Sequence, residues 1–159
     1  MSISDLIIVM KDGVLHQIGK PQTVYDEPCN LFVATFLGTP QINLFEGRVE
    51  KGTLYIGLDA VLQVDCPDRE KLTVGVRPEG FVLQEDGPLC CTLQAVEVMG
   101  RDHSVVSTHP AAAGAVIRSI IPSEETPHGK PGTVRFRLKP FKTHLFDAET
   151  GERVRFTAV

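Results

Sequence analysis

The sequence has no tryptophan, only two tyrosines, and no Cys-x-x-Cys pair among its four cysteines. Without that spacing the usual frameworks for structural zinc and dithiol redox chemistry are absent. Cys29, Cys66, Cys90 and Cys91 are read as reduced thiols, the adjacent Cys90 and Cys91 pointing to opposite faces of a strand. The five histidines show neither i, i+4 nor His-x-His spacing, so no metal is expected. No apolar run approaches the about 20 residues that a membrane helix needs. The longest, Leu6 to Met10, has the length of a buried strand. No basic segment precedes it, as it would in a signal peptide, which makes the cytoplasm the expected location. With a formal net charge of −4 and scattered basic residues, the chain also lacks the basic patch that releases counterions from nucleic acid.

Phosphate-binding chemistry is missing too. A P-loop reads Gly-x-x-x-x-Gly-Lys-Ser/Thr, because its backbone N–H groups cradle phosphates and its hydroxyl holds magnesium. The two Gly-Lys pairs, Gly19-Lys20-Pro21 and Gly129-Lys130-Pro131, are each followed by proline, which has no hydroxyl and no N–H. Val14 and Glu124 stand where the upstream glycine belongs. Both pairs read as turns.

What is present is an ordinary globular composition, 42% hydrophobic and 23% charged over 159 residues, enough for one core or a small domain with an appendage. Asp12-Gly13 between the apolar runs Leu6 to Met10 and Val14 to Ile18 predicts a β-hairpin. Pro21 opens a short helix over Gln22 to Asp26, which Glu27-Pro28 ends. Asn30 caps a second short helix on which Phe32, Val33, Phe36 and Leu37 share a face, with Gly38 as its C-terminal cap. Pro/Gly punctuation at Gly38-Thr39-Pro40 places a domain boundary with few contacts expected across it, dividing the chain into 1–38 and 39–159.

Beyond it, period-2 alternation predicts half-buried antiparallel strands: Phe45, Gly47 and Val49; Leu54, Ile56 and Leu58; Leu72, Val74 and Val76; Val134, Phe136 and Leu138. The run Leu89, Cys91, Leu93, Ala95 shifts phase to Val96 and Val98, which predicts a bulge near Ala95. Short strands at this spacing suggest a barrel or sandwich.

Three polar constellations stand out. In Arg77-Pro78-Glu79, proline fixes φ and presents a charged pair at a strand end, a candidate interface or regulatory element as well as an ordinary turn. Asp102, His103 and Ser104 carry the residue types of a hydrolase triad, but adjacent residues do not assemble one, and they are expected in a loop beside Gly100. Arg135, Arg137 and Lys139, with nearby Lys142, form a basic strand edge that could take an oxyanion or nucleic acid, or simply be solvated or meet acids on a partner; no aromatic shares that face, so base stacking is not expected there.

A set of segments resembles the ATP-binding subunit of sugar-type ABC importers, the maltose and glycerol-phosphate importer family. They are Asp5 to Met10, Gly13 to Pro21, Val24-Tyr25-Asp26-Glu27-Pro28, Phe32 to Pro40, Ile42-Asn43-Leu44, Val74 to Glu79, Val96 to Gly100 and His144 to Asp147, in the family's order. The resemblance implies that Met1 to Asp5 is the end of the helix after the switch histidine. The P-loop, signature motif and catalytic glutamate would then lie upstream. It further implies a mainly β fold, in which an OB-like antiparallel β-barrel, the transport-associated domain, follows the hairpin and two short helices. His109 to Ala115 has no counterpart in the resemblance.

The expectation is a non-catalytic regulatory and dimerisation region, with ATP and magnesium bound only by a longer parent. Its partners would be a second copy through the barrel, membrane-spanning importer subunits through the missing core, and a regulatory protein, at the inner face of the membrane. The alternative is an oxyanion-binding barrel, which a screen with tungstate, phosphate and sugars separates. Titrating the chain with a fluorescent ATP analogue and magnesium is expected to give no saturable binding. Saturation at micromolar concentration would contradict the reading of its Gly-Lys pairs as turns.

Overall fold

A computed structural model describes residues 6–38, 40–125 and 132–158. The sequence readings at Met1 to Asp5, Thr39 and Gly129-Lys130-Pro131 lie outside the described residues.

Strands β1 (Ile7–Lys11) and β2 (Val14–Gly19) pair antiparallel, with Lys11 opposite Val14. Asp12 and Gly13 take φ of 52° and 78°, both positive as a two-residue I′-like turn requires, which is why Asp-Gly suits this position. Helix α1 (Pro21–Asp26) has proline in its first turn. Helix α2 (Leu31–Phe36) is capped by Asn30, whose side-chain oxygen accepts from the Val33 N–H at 2.9 Å. Phe32, Val33 and Leu37 of the expected α2 face pack in one cluster, and Phe36 departs from it. Val33 packs toward the hairpin with Val9 and Val24, whereas Ala34 packs toward the barrel with Ile42 and Phe146. The buried arc is centred between Val33 and Ala34, which turns Phe36 outward to 58% exposure.

The remaining strands are β3 (Asn43–Glu50), β4 (Thr53–Ile56), β5 (Asp59–Asp65), β6 (Arg69–Val76), β7 (Phe81–Leu83), β8 (Leu89–Met99), β9 (Asp102–Thr108), β10 (Ile117–Pro122), β11 (Val134–Leu138), β12 (Thr143–Asp147), β13 (Arg153–Val154) and β14 (Thr157–Ala158). They form two sheets, ordered β10-β9-β8-β11-β7 and β13-β12-β6-β3-β4-β5-β14, with antiparallel pairing throughout. The end strands of the larger sheet are consecutive in the chain, so the short 155–156 link joins its two edges and nearly closes it. The fold is thus mainly β, an OB-like antiparallel barrel preceded by a hairpin and two short helices.

One apolar core serves both sheets, with Phe45, Leu54, Val74, Leu89, Phe136 and Leu145 among its members. Val134, Phe136 and Leu138 are buried while Arg135 and Arg137 are exposed, as the alternation predicts. The β8–β9 register shifts between Leu93 and Ala95, at the predicted bulge. Three expectations are corrected. Leu58 continues no buried set: Gly57, at φ 59°, turns the chain and leaves Leu58 92% exposed. Asp102, His103 and Ser104 begin strand β9 rather than a loop, because the turn is confined to Gly100-Arg101. The basic strand is no edge, since β11 lies between β8 and β7.

Two devices tie the sheets together. The alanine-rich stretch lies along β3, where the Glu46 N–H donates to Ala111 O and the Ala113 N–H to Leu44 O, each at 2.8 Å. Asn43, nearly buried, acts as a substitute strand partner for β10. Its Oδ1 accepts from the Arg118 N–H at 3.0 Å, and its Nδ2 donates to Arg118 O at 2.9 Å and Val76 O at 3.3 Å. Asn43→Ala leaves those backbone groups without partners and is expected to cost about 1–3 kcal/mol. Urea unfolding measures the loss; a change below about 0.5 kcal/mol would show that water replaces the amide at this site.

Candidate functional site

Arg77-Pro78-Glu79 follows the last residue of β6, and Pro78 starts a single 3₁₀ turn over Pro78–Gly80. The turn is fixed at both ends: the Arg77 N–H donates to Lys142 O at 3.0 Å and the Gly80 N–H to Arg77 O at 2.8 Å. This backbone sends the Arg77 side chain inward, where it is fully buried. Its Nη1 donates to Ala34 O and Leu37 O, and its Nη2 to Tyr25 O, all at 2.9 Å. Tyr25 and Ala34 lie in the last turns of α1 and α2 and Leu37 is the C-cap of α2, where helical backbone leaves acceptors without intrahelical donors. One guanidinium therefore caps two helices. Its carbon also stands 4.0 Å from the centre of the Tyr25 ring, a cation–π contact.

Gly38 makes room for this arrangement. It takes φ of 106°, and a Cβ there would stand 3.2 Å from the Tyr25 ring and 3.5 Å from Arg77 Nη1. Over the outer side, the Tyr25 hydroxyl donates to Glu79 Oε1 at 2.6 Å. Lys142 Nζ lies 3.5 Å from Glu79 Oε1 and 3.4 Å from Asp26 Oδ1. Burial, and then the bond to Glu79, raise the Tyr25 phenol above its ordinary range, so it stays a donor. Burial lowers the Arg77 guanidinium below its ordinary value. Among the described residues no carboxylate touches that cation, and its Nε has no partner.

A second set of contacts joins the same two regions. Glu27 accepts from Arg153 at 2.7 Å and Arg155 at 2.8 Å, and these bonds, Arg153's foremost, hold its carboxyl below the usual range. The Leu31 N–H donates to Gly151 O at 2.8 Å. These contacts and those of Arg77 cross the expected boundary at Gly38.

His144 lies nearby in β12, 2% exposed, with no partner for Nδ1 among the described residues. Burial, with Arg153, Arg77 and Lys142 in its surroundings, pushes it down to about 4. His16 is bonded to Asn30 Nδ2 at 2.9 Å and packed on Phe32. Ser104 is buried, and successive strand residues such as His103 and Ser104 point to opposite faces, so no triad forms. All four cysteines are free, and burial pushes the Cys91 thiol up to about 12. Among the described residues no three His, Cys, Asp or Glu side chains are placed to share a metal. Arg135 and Arg137 are engaged by Gly87 O and Gln84 Oε1. A groove of about 340 Å³ lies between Pro40 and Val116, and its one cation, Arg118, is 3.4 Å from Glu97.

Sequence reasoning singled out Arg77 but missed Tyr25, Lys142 and the three carbonyl acceptors. Two of those acceptors, on Ala34 and Leu37, are backbone atoms of apolar residues. No spacing could have signalled them.

No family model matches the chain. Curated relatives do. An sn-glycerol-3-phosphate import ATP-binding protein UgpC of Ruegeria sp. (strain TM1040) is 31% identical over 155 residues, covering 97% of this chain and 43% of the relative. The proteins of the same name from Shigella boydii serotype 4 (strain Sb227) and Escherichia coli (strain K12) are each 33% identical over 162 aligned positions, covering 97% of this chain and 44% of theirs. The chain is a homologue of part of these sn-glycerol-3-phosphate import ATP-binding proteins. It spans less than half the length of these importer subunits. Among the described residues no helix is long and apolar enough to cross a membrane.

His144 gives this region a pH dependence of defined sign. Its folded value of about 4 lies below the ordinary 6.5, so between them the unfolded chain binds a proton that the folded chain does not. Stability is then full above about 6.5 and falls as pH drops toward 4. Thermal melts of the wild type and His144→Phe across this range should show a shallower decline for the variant. Parallel curves would remove His144 as the cause.

Proposed function

We propose that this chain is the non-catalytic regulatory and dimerisation part of an ABC importer ATPase that energises uptake of a carbohydrate-like solute, the class in which a polyol phosphate falls. In this reading residues 1–38 are the tail of the ATPase core and residues 39–159 are the transport-associated barrel. The longer parent binds ATP and magnesium and works at the inner face of the cell membrane. It contacts membrane-spanning subunits through its core, a second copy through the barrel, and a regulatory protein. Arg77, Pro78 and Glu79 serve at the interface between core tail and barrel.

One observation carries the reading beyond kinship. Leu6, Ile8, Met10, Val14, Leu15 and Ile18 are each more than half exposed on or beside the hairpin, while Val9 alone of its apolar residues is fully buried. Six large aliphatic side chains on one short hairpin are a surface that proteins normally cover. Relatives more than twice as long as this chain supply a reason for the cover.

The chain by itself is expected to form a concentration-dependent dimer. A two-fold barrel contact without the rest of the assembly falls below the about 1,000 Å² typical of stable interfaces. Sedimentation velocity on the wild type and on Ile8→Glu/Leu15→Glu separates this contact from hairpin association, because both substituted positions are exposed. A dimer that survives the substitutions supports the barrel contact. A strict monomer in both proteins, up to high micromolar concentration, removes dimerisation from the proposed function.

A further inference from the structure

Among the described residues the Arg77 guanidinium alone bonds carbonyls at the ends of both helices, and it reaches them from the barrel. We propose that Arg77 is a latch: engaged, it holds the hairpin and helices α1 and α2 on the barrel as one body, and released, it lets them leave together. The inference goes beyond the proposed function and does not depend on dimerisation.

Relative strengths support a single latch. The other contacts between the two bodies are spread out and reach one helix end at a time: the Leu31 N–H donates to Gly151 O at 2.8 Å at the start of α2, and the Tyr25 hydroxyl to Glu79 Oε1 at 2.6 Å beside α1. Glu27, which meets Arg153 and Arg155, has a side chain 52% exposed, and ion pairs at exposed carboxylates contribute little. The apolar contact is the small cluster of Ala34, Ile42 and Phe146, with Leu31 and Leu44 at its margin. Arg77 adds three hydrogen bonds from a charged donor, each stronger than its neutral equivalent. The same group carries the cost that makes release accessible. Its charge is fully buried, no described carboxylate touches it, and its Nε is left without a partner. Release returns that charge to water.

The unit that would leave is also defined. Val9 of the hairpin, Val24 of α1 and Val33 of α2 form their own apolar cluster, separate from the barrel core. Hairpin and helices therefore stay packed on each other when the latch opens. The exposed aliphatic face of the hairpin is thereby coupled to the barrel through Arg77, alongside the Glu27–Arg153/Arg155 and Leu31–Gly151 contacts. Tyr25, Glu79, Lys142 and Asp26 close the outer side of the cluster and set how readily water enters.

Native-state hydrogen exchange on the whole chain tests this. In wild type under mild urea, the amides of Val24, Glu27 and Ala34, all hydrogen-bonded within this region, should open in one shared transition ahead of β3 and β6. In Arg77→Lys, whose ammonium cannot span three carbonyls in a fork, these amides should exchange at least tenfold faster, with β6 changed less than twofold. Tyr25→Phe keeps the ring under the guanidinium and should accelerate the same amides less than Arg77→Lys does. The proposal is overturned if α1 and α2 open independently, if they open only with the barrel, or if Arg77→Lys accelerates both regions alike. The wild-type measurement decides the matter even if Arg77→Lys fails to fold. Sedimentation reads the dimer separately, so the two proposals fail independently.

Discussion

A buried guanidinium has to find acceptors, and in this protein the acceptors decide how the chain is assembled. Arg77 has no solvent exposure and bonds three main-chain carbonyls that neither short helix can satisfy internally. Helices of six residues are too short to be stable alone, so their position is set by what they dock on. They dock on a cation at the end of β6, held at that height by Pro78 and by the backbone bond to Lys142. Gly38 follows from the same constraint, since a side chain there would press on Tyr25.

The barrel supplies the rigid side of this contact. Strand β6 lies between β12 and β3 inside the larger sheet, and its inward residues Leu72, Val74 and Val76 are buried. The link between β13 and β14 brings the two edges of that sheet together, which limits the open edge available for pairing with other chains. The hairpin is the opposite case. Its inner side is satisfied by α1 and α2, and its outer side presents aliphatic side chains to solvent. Proteins normally cover a surface of that composition.

Much of this fold was legible in local pattern. Asp12-Gly13 signalled the hairpin because the turn demands two positive φ values. Asn30 signalled the start of α2 because a cap needs a short acceptor side chain. The phase break at Ala95 appears as a register shift, and Val134, Phe136 and Leu138 alternate inward. Leu58 and Phe36 were misplaced because the sequence pattern does not say where a turn ends or how many faces of a helix are covered. Arg77 was picked out as a residue type beside a proline. Its partners were not, because residues 25, 34, 37 and 142 share no spacing with it.

By itself the sequence determined the hairpin and its turn chemistry, the two short helices, the strands at β3, β4, β6, β8 and β11, and the kinship with importer ATP-binding subunits. Each of these rests on nearest neighbours or on motif order, which a linear text carries. Tertiary structure alone decided that the chain's two regions are joined through a buried cation, that Asn43 substitutes for a strand beside β10, and that His144 is buried beside Phe146, where burial lowers its pKa. These depend on main-chain acceptors and on desolvation. Both are created only when segments distant in the chain are brought together and water is removed from between them.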